Sequence, residues 1–210
     1  MPAPDLELFF DLTSPWTWLG VRNLVPLAEK HGVEIAWRPI LVGGVFNAVN
    51  QAVYQARANP VPAKARYYDK DLQDWARLAG LTIHFPPVCG HPVNAVLAMR
   101  CALVMQARGK LVPFAFAAFD ALWAHERDLA DPEVLAPLIL DAGEEPLAVL
   151  AEAGTEPIKA QLRANTDELI ARGGFGSPTV FVGGDDMYFG NDRLPLIEAA
   201  LEQVKHPGPQ

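Results

Sequence analysis

The sequence predicts an α/β fold: one mixed sheet drawn from both ends of the chain and interrupted by a long run of helices. Three observations predict it. An apolar run near the N-terminus (Leu6, Leu8, Phe9, Phe10, Leu12) leads through a helical stretch to an alternating segment at 33–40, the pattern of a β-α-β unit. Residues 179–189 read as two short strands about Gly183-Gly184, followed by a last helix. Between these ends, apolar residues recur at helical spacing.

Each element has a local reason. Leu6, Leu8, Phe9, Phe10 and Leu12 form a short apolar run, as expected of a strand covered on both faces. Thr13 and Ser14 are both good N-caps, and Pro15 has the fixed φ of a first helical residue. Thr13 could serve as the cap, which would leave the Ser14 hydroxyl for other work. The helix runs to His31-Gly32, a natural stop. Segment 33–40 is then a strand parallel to the first. From 41 to 62 periodicity is lost, and Gly43, Gly44, Pro60 and Pro62 read as a long loop, a class that is usually functional or mobile. Helices are predicted over 64–79, 93–108, 111–124, from Asp131-Pro132, over 146–153 and over 156–172, with 81–87 as a short extended link. The last helix begins at Asn191-Asp192-Arg193 and ends near Val204, and the tail 206–210 is expected to fray.

Composition narrows the function. A chain of 210 residues can bury a full core. A formal net charge of -8 argues against nucleic acid or an anionic membrane surface as partner. The most apolar stretch, 111–124, contains Pro113 and Asp120 and is shorter than the roughly 18 residues of a membrane span. No basic, apolar leader opens the sequence, so a cytoplasmic protein is expected. Cys89 and Cys101 are not in a C-x-x-C pair and read as two free thiols. The five histidines show no metal spacing, and no metal is expected. Gly173-Gly174-Phe175-Gly176 follows a helix rather than a strand, so it is not a dinucleotide loop.

Ser14 sits where unpaired backbone N–H groups and the positive end of a helix dipole point outward, a place that favours an anion. Ser14-Pro15-Trp16-Thr17 stands where a thiol oxidoreductase carries Cys-Pro-x-Cys, and Gly176-Ser177-Pro178-Thr179 where such a fold carries its cis-proline. Together with Phe10-Asp11-Leu12, Trp37-Arg38-Pro39, Gly43-Gly44-Val45-Phe46, Phe85-Pro86-Pro87, Pro92-Val93-Asn94 and Phe189-Gly190-Asn191-Asp192-Arg193-Leu194, these segments resemble the family of kappa-class glutathione transferases and 2-hydroxychromene-2-carboxylate isomerases. The resemblance implies a thioredoxin-like mixed sheet with a large all-helical insertion, as in the DsbA branch. The thioredoxin-like part would be 1–42 and 171–210, and the helical insertion with its connecting helix 43–170.

The resemblance also implies glutathione as cofactor, a small aromatic substrate and a homodimer. Its site residues carry over as follows. Ser14 contacts the glutathione sulfur, and the Ser177-Pro178 edge pairs with the peptide backbone. Asn191, Asp192 and Arg193 hold the γ-glutamyl end, Lys64 the glycine carboxylate, and Asn50 lies in the preceding loop. Phe46, Tyr54, Phe85, Asn94 and Trp123 are expected to line the aromatic pocket. A serine hydroxyl and helix-terminal N–H groups aimed at a thiol favour its thiolate. Neither Ser14 nor Thr17 can form a disulfide, so dithiol redox chemistry at this place is excluded. The activity implied is a glutathione-dependent isomerisation, in which a transient thiolate adduct opens a chromene ring. Two alternatives share the scaffold: a transferase or peroxidase that consumes glutathione, and a non-catalytic binding module.

Overall fold

The computed structural model describes residues 4–205. The expected fraying of 206–210 lies outside them. Strand β1 (Leu6–Phe10) is the hub of a four-stranded sheet in the order β2-β1-β3-β4. It pairs in parallel with β2 (Ile35–Pro39) and antiparallel with β3 (Thr179–Val182), which forms a hairpin with β4 (Asp186–Phe189). The mixed sheet is thus assembled from 6–39 and 179–189, with helices supplying what lies between.

Helix α1 (Pro15–His31) connects β1 to β2. It ends at Gly32, whose φ of 59° is the left-handed value that a residue with a Cβ adopts only at a cost. The helix continues through Pro26, since burial of Trp18, Leu19, Val21 and Leu24 outweighs one lost backbone bond. Helices α2 (Val42–Val49) and α3 (Ala52–Ala58) fill the stretch that the sequence predicts as a loop. The reason is non-local. The Val42 N–H donates to the Asp11 carboxylate at 2.7 Å and the Leu41 N–H to Thr166 Oγ1 at 3.0 Å, so residues far along the chain satisfy the start of α2. Gly44 belongs to the same contact, because a Cβ there would come within 3.3 Å of the Thr166 methyl.

The remaining helices are α4 (Pro62–Ala79), α5 (Val96–Ala107), α6 (Leu111–Trp123), α7 (Pro132–Asp141), α8 (Pro146–Ala153), α9 (Glu156–Ala171) and α10 (Leu194–Lys205). Helix α5 starts three residues later than the periodicity predicts: Val93 and Asn94 lie outside it and Ala95 is its N-cap. No helix among the described residues is long and apolar enough to cross a membrane.

Both sheet faces are covered, as the largely apolar, fully buried β1 requires. On one face Leu6, Leu8, Phe10, Val180 and Val182 join α1, α10 and the helical block in the main core. On the other, Phe9 and Phe181 meet edge to face at 5.7 Å and pack against Val45 of α2 and Leu169 of α9. Glu7, 3 % exposed, also points to this second side. Its carboxylate takes Arg38 at 2.7 Å and also Arg172, whose guanidinium lies 3.6 Å from the Phe181 ring centroid.

Candidate active site at the start of the first helix

The turn after β1 is held by one buried carboxylate. Asp11 accepts from the Thr13 N–H at 2.8 Å with one oxygen and from Val42 with the other. Burial raises its pKa, and these hydrogen bonds oppose the rise. The Asp11 N–H in turn donates to Ser177 Oγ at 3.0 Å.

Ser14, not Thr13, is the N-cap of α1: its Oγ accepts from the Thr17 N–H at 3.2 Å. The expectation that Thr13 would cap fails because the Thr13 N–H is drawn onto Asp11, which fixes Ser14 at the cap position. The Ser14 hydroxyl also donates to the Ser177 carbonyl at 3.2 Å. Thr17 Oγ1 lies 2.8 Å from Ser177 Oγ, closing a small polar cluster of Ser14, Thr17 and Ser177 at the helix start. Here a helix N-terminus, three hydroxyls and a peptide edge converge, and an anion is the favoured guest.

The Ser177-Pro178 bond is cis, as the resemblance implies. Pro178 packs on Gly20 of α1, where an added Cβ would stand 3.0 Å from the proline Cγ. The Pro178 carbonyl accepts from the Gly190 N–H at 3.1 Å, so the end of β4 brings Asn191 to the same edge. Asn191, Asp192 and Arg193 form a short 3-10 turn leading into α10. Asn191 is 5 % exposed, and its side-chain Nδ2 has no hydrogen-bond partner. A buried amide without a partner beside a helix start and a peptide edge fits a polar guest. Asp192 pairs loosely with Arg193 at 3.4 Å, both on the surface.

The other expected residues separate into two groups. Asn50 caps the end of α2 and ties it to the Phe175 carbonyl at 3.0 Å, just upstream of Ser177. Lys64 is exposed in the first turn of α4. Phe46 and Tyr54 meet edge to face at 6.3 Å, and the Tyr54 hydroxyl bonds Asn47. Phe85 stacks over Trp123 at 6.2 Å. Trp123 itself has no exposed surface and donates to the Leu12 carbonyl at 3.0 Å, so it lies within the core rather than facing solvent as a pocket residue would. Asn94 uses its side chain on the Val96 N–H at the start of α5.

Several residues of the site carry no local signal. Asp11, Thr17 and Trp16 fall inside the opening motif, yet the side chain of each also has a partner 31 to 160 residues away, in Val42, Ser177 and Tyr68 respectively. Tyr68 reads as one more apolar position of α4, but its hydroxyl accepts from Trp16 Nε1 at 2.7 Å. Far along α1, His31, Glu198 and Glu202 bring their ligand atoms within 4.8 Å, a grouping that histidine spacing could not reveal. Glu198 is already paired there with Lys30 at 2.6 Å and His31 at 3.0 Å.

Comparison with known proteins agrees with this architecture. Residues 5–202 match the model of the DSBA-like thioredoxin domain. The chain is 30% identical over 200 residues to 2-hydroxychromene-2-carboxylate isomerase of Pseudomonas putida, covering 95% of each chain. It is 26% identical over 220 residues to glutathione S-transferase kappa 1 of Homo sapiens, covering 99% of this chain and 95% of that one. Among solved structures, a 2-hydroxychromene-2-carboxylate isomerase superposes with a TM-score of 0.80 at 24% identity, covering 96% of both chains. DsbA of Pseudomonas aeruginosa superposes at 0.61 with 18% identity, covering 99% of this chain and 90% of that one. The chain belongs to the DSBA-like thioredoxin family, in the branch shared by these isomerases and the kappa-class transferases.

Proposed function

We propose that the protein is a glutathione-dependent isomerase of aromatic substrates of the 2-hydroxychromene-2-carboxylate type. The observation that carries this reading is the Ser14 hydroxyl, set between the Thr17 N–H and the Ser177 carbonyl where a redox relative needs its cysteine. Named relatives at 30% and 28% identity over nearly the whole chain support it. Glutathione, when bound, supplies the nucleophilic thiolate that the chain lacks at this place.

The chain's own residues have distinct tasks. Asn191, with its unpartnered amide, and Asp192 would hold the γ-glutamyl end, and the Ser177-Pro178 edge the peptide. Ser14 would donate to the sulfur. Its proton now goes to Ser177 O, but a charged acceptor makes the stronger bond, so the hydroxyl turns toward a thiolate in preference to a carbonyl. The Thr17 hydroxyl and the start of α1 add to the field that keeps the sulfur ionised. Trp16, Tyr68 and Phe85 offer apolar faces to the second substrate beside this point.

The test is ultraviolet monitoring of 2-hydroxychromene-2-carboxylate with and without glutathione. Turnover should require glutathione without consuming it, and Ser14→Ala should lower kcat by about a hundredfold, the scale of one lost oxyanion-type donor. Turnover independent of glutathione, or intact in Ser14→Ala, would overturn the mechanism. A stable conjugate with a chloronitrobenzene acceptor and no isomerisation would assign the protein to the transferase side of the branch instead.

A further inference from the structure

The end of α1 and the middle of α10 bring together three metal-ligating side chains from opposite ends of the chain. His31 is the last residue of α1, and Glu198 and Glu202 stand one turn apart on α10. One ligand atom from each lies within 4.8 Å of the others. The two helices are fixed independently of this cluster. Ile197, Ala200 and Leu201 of α10 share the main core with Leu24 and Ala28 of α1, which leaves 198 and 202 on the flank beside His31.

The three side chains differ in freedom. The His31 side chain is only 12% exposed, and its Nε2 faces Glu198 Oε1 at 3.0 Å. Glu198 is 30% exposed, and Glu202 lies on the surface and makes no ion pair among the described residues. One ligand is therefore held in place while two can adjust. Zinc bonds of about 2.0–2.2 Å at tetrahedral angles put neighbouring ligand atoms about 3.4 Å apart. The His31–Glu198 distance is close to that value, and the widest gap in the cluster has to close by no more than about 1.4 Å. The surface is concave on both sides of the cluster, lined by Lys30, Leu194 and Glu198 on one and by His31, Glu202 and Gln203 on the other, so water can complete a coordination shell.

Charge points to a cation. Like charges one turn apart on a helix repel, and these two lie beside the negative end of the α1 dipole. One ammonium answers them: Lys30 Nζ sits 2.6 Å from Glu198 Oε1, on a side chain 67% exposed. Lys30 marks a place where positive charge is already held, and it can yield that place, since an exposed pair contributes little. An imidazole nitrogen with two carboxylate oxygens suits zinc better than calcium or magnesium, which favour oxygen alone.

We propose that His31, Glu198 and Glu202 form a surface site for a divalent transition cation, best matched by zinc, that ties α10 to the end of α1. The site would brace the two helices whose starts carry Ser14 and the 191–193 turn. Histidine spacing predicts no metal because the other two ligands are carboxylates at the far end of the chain. The inference does not depend on the proposed function.

The test is calorimetric titration of the untagged, chelator-treated full chain with zinc chloride, without glutathione, whose thiolate would compete for the metal. Wild type should take up one zinc per chain and saturate below about 100 µM. His31→Gln and Glu202→Gln should each weaken binding by about tenfold or more, the scale at which even the loss of a partner behind a ligand is felt. Lys30→Gln should tighten it, because the competitor for Glu198 is gone, and a gain of affinity cannot be mimicked by misfolding. Cobalt(II) in place of zinc should show the visible absorption of tetrahedral coordination in wild type and lose it in His31→Gln. Failure to saturate in that range, an affinity unchanged in His31→Gln or Glu202→Gln, or no gain in Lys30→Gln would each overturn the proposal.

Discussion

Asp11 holds two walls of the site at once. One oxygen fixes the turn that presents Ser14, and the other fixes the start of α2, which carries Phe46 and Asn50. Its folded pKa is raised by burial above the ordinary 3.8. The consequence for stability has a definite sign. Such a carboxyl contributes most when protonated in both states, and its contribution is lost as pH rises through the folded pKa. Asp11→Asn removes the titration. The melting temperature of wild type minus that of Asp11→Asn should therefore fall as pH rises from 3.8, as followed by circular dichroism in a pH series. A difference that is flat or rises with pH would contradict this account. The helix start at Thr13-Ser14-Pro15 was legible in the sequence because its signals are local, but which residue caps was not, because that choice is set by Asp11, whose second partner, Val42, is 31 residues away.

Among the elements, α9 is stitched to the sheet at its C-terminal end. Arg172 reaches Glu7 on β1, donates to the Gly184 carbonyl at 2.7 Å in the β3–β4 turn and lies over Phe181. Arg38 holds the other side of the same buried carboxylate. Arg172→Ala leaves Glu7 with one cation instead of two and uncovers the Phe181 ring. It should destabilise the protein by about 3 kcal/mol, near the lower end for breaking a buried pair, as measured by urea denaturation. A loss under about 1 kcal/mol, the value of an exposed pair, would mean that water screens Glu7. Helices with local stop and start signals, such as α1 before Gly32 and α7 after Asp131, could be read from the sequence. Helices α2 and α3 could not. Gly43 and Gly44 are poor helix formers, and what stabilises α2 is its docking on Thr166 and Asp11.

At the scale of the whole molecule, the order of elements carried the fold. A β-α-β start, a helical block and a β-β-α end leave few ways to build one sheet, and the hairpin had to return beside β1. The aromatic surface was the least legible part, since Trp16, Tyr68 and Phe85 come together only when the helical block folds over the start of α1. The absence of cysteine at positions 14 and 17 also bears on damage. A cysteine nucleophile attacked by peroxide can climb to sulfinic and sulfonic acids, and the enzyme is then lost. A serine hydroxyl does not enter that ladder. Under the proposed function the vulnerable sulfur belongs to a small peptide that dissociates, so the oxidised copy can leave and a fresh one take its place. After hydrogen peroxide treatment and desalting, added glutathione should restore most of the isomerase activity of wild type. The same treatment of Ser14→Cys should leave its thiol chemistry extinguished, with the added oxygens seen by mass spectrometry. Permanent loss in wild type would point to oxidation elsewhere, with half-exposed Cys89 the first place to look, since burial keeps the Cys101 thiol at a pKa of about 12. Under that reading, sacrifice and renewal move from the protein to the pool of peptide around it.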